Sequence, residues 1–275
     1  MKLPRPPDWL IYLGVVAALA VLAVFVGEHT EAPPAPRPPR ADAGAPLAPA
    51  SLFDPAILVT APTTSGGAGT AFSVSDSGVW LTARHVVDGC ARSVIVTAPG
   101  RGVAAQVRLT PGRETAILIT QGGAPALPIA PMGPLHRGKR AFHPGFPQSR
   151  AGAVASELLA RNRLFVRGWG FRTEPVLAWA EVGRTSGLRG SLAGISGAPA
   201  LDSAGRVVGV TLAESPRRRR LYTTTPSSLR AALAAASVTP QTAARGEVFG
   251  RDNYDRLADS LRHDLRITQV VCLAR

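Results

Sequence analysis

From Ser51 onward the chain is cut into short β-prone runs by glycine, proline and aspartate, and this punctuation limits what it can fold into. Ile57–Thr60, Gly69–Val74, Val79–Thr82, Ser93–Thr97, Val103–Leu109 and Ala116–Thr120 are each too short for a stable helix. Further runs stand at Gly152–Ala160, Leu164–Val166, Pro175–Val182 and Val207–Leu212. Such spacing predicts an all-β sandwich or barrel, and periodicity alone does not choose between them. With 45% hydrophobic residues in 275, a sizeable core is expected.

Within this β-rich region, Gly194-Ile195-Ser196-Gly197-Ala198-Pro199 and Thr82-Ala83-Arg84-His85-Val86-Val87 carry the elements of nucleophilic catalysis. A serine hydroxyl is a weak nucleophile at neutral pH. It needs a neighbouring base and donors for the oxyanion formed on attack at a carbonyl. The glycines allow a tight turn in which the N–H groups of Gly194 and Ser196 point at one oxygen. His85 is the candidate base, since imidazole titrates near neutrality.

The segment Gly67–Val74 with Gly78–Gly89, and later Gly194–Pro199 with Leu201–Val210, resembles the histidine and serine regions of trypsin-like (chymotrypsin-fold) serine proteases, most closely the bacterial HtrA branch. The resemblance covers about residues 51–237, with the motifs in the family's order. It implies two six-stranded antiparallel β-barrels with C-terminal helices, and an active site between them with His85 from the first and Ser196 from the second. In that family an aspartate opens an Asp-x-Ala-x-Leu strand and orients the histidine. Here the matching stretch is Glu114-Thr115-Ala116-Ile117-Leu118, so glutamate stands in that place. Ala198 is a second departure, because the HtrA branch usually has glycine there. By the same resemblance the primary pocket is walled near Gly190–Ala193 and by Thr211, Leu212 and Ala213. No acidic residue falls in those stretches, which predicts a small or medium apolar side chain before the cut.

The amino terminus reads as a membrane anchor. Lys2 and Arg5 precede Trp9–Gly27, an uncharged stretch of 19 residues, long enough to span a hydrocarbon layer about 30 Å thick. A cleaved signal would have a shorter apolar run and a better small-x-small site. The charge placement puts residues 1–29 as cytoplasmic terminus and single-pass anchor, with the bulk on the far side of a bacterial inner membrane, in the periplasm. Residues 30–50, with seven prolines, read as an extended spacer reaching up to about 60 Å.

The formal charge is +13, nearly all of it arginine, since lysine occurs only at Lys2 and Lys139. The arginines are scattered and no nucleic-acid motif accompanies them, so a compositional bias is preferred to nucleic-acid binding. The one block, Arg217–Arg220, reads as a solvated hairpin tip. His136 and His143 lie in no metal-ligand spacing, and no metal or cofactor is expected. Trp169 and Trp179 read as core or cleft-wall residues.

Ser227–Ala236 reads as a terminal helix capped by Ser227 or Ser228, closing a protease domain over residues 51–237. Residues 238–275 are too few for the PDZ module of the HtrA branch. They read as an extension in which Tyr254, Leu257, Leu261 and Leu265 mark an amphipathic helix and Ile267–Leu273 a strand. The two cysteines, Cys90 and Cys272, can form a disulfide in an extracytoplasmic domain, pinning the tail to the first barrel. The expected function is a membrane-anchored serine endopeptidase acting on protein or peptide substrates. The alternative is a weak or inactive protease fold serving as a binding or signalling module.

Overall fold

The computed structural model describes residues 44–60, 67–168, 170–242, 244 and 246–274, together with Trp9, Leu13 and Ala17. The chain divides into a unit of residues 1–40 and a unit of residues 41–275. Apart from Trp9, Leu13 and Ala17, which are helical and exposed, the anchor expected over Trp9–Gly27 lies outside the described residues, as does Trp169. Among the described residues no helix is long and apolar enough to cross a membrane.

Six antiparallel strands form a closed barrel: β2 (Gly67–Ser75), β3 (Val79–Ala83), β4 (Arg92–Ala98), β5 (Arg101–Leu109), β6 (Thr115–Ile119) and β13 (Ile267–Leu273). The order around it is β13-β2-β3-β6-β5-β4. Closure therefore depends on a strand from outside the 51–237 segment: β13 runs antiparallel to both β2 and β4. Phe72, Leu81, Ile95, Leu118, Ile267 and Val270 are all within 1% of fully buried and fill the interior. Trp80 satisfies its indole N–H on Thr120 Oγ1 at 2.9 Å. The disulfide Cys90–Cys272 joins the end of β13 to the segment after His85, with its Cα atoms 5.3 Å apart.

In place of the expected second six-stranded antiparallel barrel stands a sheet of seven strands, the first of which pairs parallel to its neighbour. Its members are β1 (Ala56–Thr60), β7 (Arg140–Gly145), β8 (Gly152–Gly168), β9 (Gly170–Arg184), β10 (Pro199–Leu201), β11 (Val207–Ser215) and β12 (Arg220–Thr224). Their order is β1-β8-β7-β10-β11-β12-β9, and an added β8–β9 pairing links the last strand back to the second. The runs expected as separate strands over 152–166 are one 17-residue strand, and β9 is 15 residues long. The two form a hairpin whose outer half reaches past the sheet as an arm. On the arm, β1 pairs parallel to Arg163–Arg167 of β8, while Arg163–Gly168 pair with Gly170–Pro175 of β9. Trp179 is fully buried, as expected of a core residue, and donates to Thr223 Oγ1.

Helix α2 (Pro226–Ala235) is capped by Thr225, whose side chain accepts from the Ser228 N–H, and not by Ser227 or Ser228. Pro226 occupies the first helical position, where a missing N–H costs nothing, and this moves the cap one residue upstream. Helix α3 (Tyr254–His263) is the expected amphipathic helix, ending two residues short of Leu265, which takes φ +58°. Its Tyr254 stacks on Phe142 of β7 with ring centroids 5.8 Å apart. At the carboxyl end of the proline-rich stretch, Leu47 donates to the Leu135 carbonyl and Ala45 accepts from Arg137, so residues 44–48 lie against the protein.

Candidate active site

His85 sits on a single helical turn, α1 (Arg84–Val87), which follows β3 directly. Glu114 immediately precedes β6, the strand beside β3 in the barrel. The backbone locks the two together, since the Arg84 N–H donates to the Glu114 carbonyl at 2.7 Å. His85 Nδ1 lies 3.0 Å from Glu114 Oε1, and the His85 backbone N–H reaches the same oxygen at 3.3 Å. The longer side chain of glutamate is thus accommodated with its carboxylate on the imidazole.

The other oxygen of that carboxylate is held from the second sheet. Arg172, on the β9 side of the arm, donates from Nε to Glu114 Oε2 at 2.9 Å. Two positions on, Glu174 Oε2 accepts from the Glu114 backbone N–H at 2.8 Å. Glu114 is 1% exposed. Burial pushes its carboxyl up, but the hydrogen bonds and positive charges of His85 and Arg172 outweigh this and hold it below the usual range. Glu174 is displaced the other way: burial raises its carboxyl, the nearby Glu114 charge adds to this, and the hydrogen bond from Glu114 and Arg113, 3.9 Å away, compensate only in part.

Ser196 is presented by the turn between the second sheet's loop and β10. Gly194 takes φ +97°, and a Cβ there would stand 2.5 Å from the Phe146 carbonyl oxygen, so glycine is required. Gly197 takes φ +90° and would clash at 2.0 Å with the Thr70 carbonyl. Ala198 is not among the positive-φ residues, which explains why alanine is tolerated in that position. Among the described residues the N–H groups of Gly194 and Ser196 donate to no protein acceptor, as an oxyanion site requires. The Ala193 carbonyl is drawn away by the Gln148 N–H at 2.5 Å. Because C=O and N–H of a trans peptide point in opposite directions, this turns the Gly194 N–H away from Gln148.

Thr70 of β2 ties this turn to the first barrel. Its N–H donates to the Ser196 carbonyl and its hydroxyl to the Gly194 carbonyl, both at 2.8 Å. The turn is therefore held against the barrel that carries His85. His85, Glu114, Gly194 and Ser196 line one cleft of about 320 Å³, together with Val59, Leu164, Val166, Leu212 and Ala213. Among the described residues no hydrogen bond joins Ser196 Oγ to His85.

Of the expected pocket residues, Leu212 and Ala213 line this cleft, and Gly190 and Thr211 do not. Thr211 is turned inward, where its hydroxyl meets His143 Nδ1 at 3.0 Å, and Gly190 lies on an exposed turn whose carbonyl accepts from Arg184. His143 is fully buried between Thr211 and Ser156, whose hydroxyl lies 2.7 Å from Nε2, and burial lowers its pKa to about 3. It is a neutral structural histidine. An acidic group does stand at the cleft, one residue beyond the stretch read for specificity. Glu214 accepts from the Leu192 N–H at 2.8 Å and from the Ser191 hydroxyl, and so braces the loop before Ser196. Arg172, Glu174, Thr70 and Glu214 carried no sequence signal; their roles arise from what the fold sets beside them.

Residues 69–210, just over half of the chain, match the trypsin-like peptidase domain family. HhoA of Synechocystis sp., assigned as a serine protease, is 38% identical over 68 residues, which are 24% of this chain and 17% of that protein. The match thus spans less than a fifth of the curated relative's length. Among solved structures, the Rv3671c protease of M. tuberculosis in its active form superposes with TM-score 0.51 at 19% identity, over 70% of this chain and 95% of that one. The HtrA-type protease AlgW bound to a decapeptide superposes with TM-score 0.50 at 20% identity, over 62% of this chain and 51% of that one. At these identities the likeness is one of fold. Family match, barrel topology and the order of the histidine and serine segments agree, and the chain belongs to the trypsin-like peptidase family.

Proposed function

We propose that this chain is a serine endopeptidase acting through Ser196, His85 and Glu114. Ser196 Oγ attacks the substrate carbonyl carbon while its proton passes to His85 Nε2. The resulting oxyanion is received by the N–H groups of Gly194 and Ser196. Return of the proton to the amide nitrogen releases the amine and leaves an ester on Ser196. Water then repeats the sequence, with His85 again as base, and frees the acid. Glu114 keeps Nδ1 protonated, so that Nε2 is free to accept. The observation that carries this reading is the 3.0 Å contact of His85 Nδ1 with a buried carboxylate held below its usual range. Such a glutamate can do the work usually given to aspartate, and no cofactor enters any step.

The substrate is a protein or peptide. Val59, Leu164, Val166, Leu212 and Ala213 give the cleft an apolar wall, and Glu214 is already engaged by the loop it braces. This favours an apolar residue before the cut. The uncharged stretch Trp9–Gly27 is proposed to anchor the enzyme in a bacterial inner membrane with the peptidase unit in the periplasm.

Labelling of the full chain by a serine-directed fluorophosphonate tests the reading. Ser196→Ala and His85→Ala abolish labelling, and Glu114→Ala lowers it. That no hydrogen bond joins Ser196 Oγ to His85 among the described residues favours a second reading, a binding or signalling module on a protease fold. A folded native chain that takes no label supports that module instead, although catalytic hydrogen bonds often tighten only once substrate is bound.

A further inference from the structure

We infer that Arg172, on the arm of the second sheet, is a positioning residue that sets the protonation and geometry of the His85–Glu114 pair across the interface between the two sheets. The inference rests on the proposed roles of His85 and Glu114 and goes beyond them.

Four observations converge on it. Arg172 is 7% exposed and its Nε lies 2.9 Å from Glu114 Oε2, so a charged guanidinium stands against the oxygen that His85 leaves free. Glu174, on the same strand, takes the Glu114 backbone N–H at 2.8 Å, so the arm grips both side chain and backbone of one residue. The cross-strand partners of these two residues are Val166 and Leu164, which line the cleft beside Ser196. The hairpin is also much longer than its sheet requires, with 17 and 15 residues against 5 in β12.

A carboxylate pinned at both oxygens cannot rotate, so Oε1 stays on Nδ1. The positive charge of Arg172 also shares the carboxylate that would otherwise serve His85 alone. It thereby disfavours uptake of a further proton by the pair. The other charges facing the pair are already engaged. Arg84 of α1 is bonded to Asp88 at 2.8 Å, and Arg113 lies 3.9 Å from Glu174. Glu214 of β11, across the cleft, is bonded to Leu192 and Ser191. Arg172 is the cation bonded to the carboxylate itself.

Replacing Arg172 by glutamine keeps a hydrogen-bond donor and removes the charge, whereas lysine keeps the charge and removes the planar fork. Fluorophosphonate labelling rates of the full chain, native and variant, are measured from pH 4.5 to 9, beside NMR titration of the His85 ring assigned with His85→Ala. In Arg172→Gln the acid limb and the ring titration both move upward by about one pH unit, because the pair now takes its proton without a neighbouring cation. In Arg172→Lys both stay within a few tenths of native while the maximal rate falls about tenfold. A merely structural role would lower the rate at all pH values without moving either midpoint. Midpoints unmoved in a folded Arg172→Gln chain overturn the inference. A native chain that takes no label while its ring titration shifts in the variant overturns the peptidase reading and leaves the inference standing.

Discussion

Exchanging Glu114 for glutamine tests the centre most sharply, because donors face the carboxylate from both sides. Oε1 receives His85 Nδ1 and the His85 backbone N–H, and Oε2 receives Arg172 Nε. A glutamine amide offers one acceptor and one donor. Arginine has no acceptor, so the amide oxygen faces Arg172 and the NH₂ faces His85, giving up the 3.3 Å bond from the His85 backbone N–H. Nδ1 then accepts, the proton moves to Nε2, and the imidazole can no longer take the proton of Ser196. Loss of the orienting carboxylate by this route costs about 10⁴ in turnover, or about 5 kcal/mol of barrier at 1.36 kcal/mol per decade. The opposite flip sets NH₂ against the guanidinium in a site only 1% exposed, a donor mismatch costing about 1–3 kcal/mol of stability. The assay is the second-order rate of fluorophosphonate labelling, with ¹⁵N NMR of the imidazole to read the tautomer. Glu114→Asp, which keeps the charge but draws it back by about 1.5 Å, one C–C bond, serves as control and loses about 10- to 100-fold. A glutamine variant that labels within tenfold of native, with Nδ1 still protonated, would refute the reasoning.

His143 and the disulfide give further tests. His143 is neutral and buried with a pKa of about 3 against the ordinary 6.5, so the unfolded chain binds a proton that the folded chain refuses. Its contribution is fully present above pH 6.5 and is lost as pH falls toward 3, by at most about 5 kcal/mol for that difference. His143→Gln flattens the dependence of the urea midpoint on pH between 6.5 and 4; an unchanged slope would assign the acid sensitivity elsewhere. Cys90–Cys272 closes a span of 182 residues, for which chain entropy gives about 5 kcal/mol as an upper bound. Cys90→Ser/Cys272→Ser lowers the unfolding free energy by a few kcal/mol, and equal denaturation curves for the two chains would show that the barrel is closed without the bond.

Sequence patterns revealed the parts of this molecule that are local. The turn at Ser196 needs glycine at positive φ on both sides, His85 needs a short helical turn after a strand, and Glu114 needs to open a strand. Each leaves a signature within six residues. The strands of the first barrel were legible from short β-prone runs and their punctuation, and the disulfide from the number of cysteines. Arg172 and Glu174 were not legible, because two charged residues in a strand read as a solvated edge unless the reach of the arm is known. Thr211 appeared as a pocket residue because its neighbours Leu212 and Ala213 are; alternation would set it on the side of Ala213, but the register shifts between the two, and Thr211 faces His143. Glu214 was missed by one position. The role of β13 was hidden because a seven-residue apolar run carries no record of which strands flank it.

That same strand sets an order of events in time. The barrel carrying His85 begins at Gly67 but is completed only by Ile267–Leu273, after every residue of the second sheet. On a ribosome, or in a translocation pore, the second sheet can assemble while the first remains an open sheet with β2 and β4 unpaired along the edges that β13 will join. The barrel that carries the histidine therefore stays unfinished until residues as far as Leu273 have emerged. Until then the nascent polypeptide holds His85, Glu114 and Ser196 without the closed barrel around the first two.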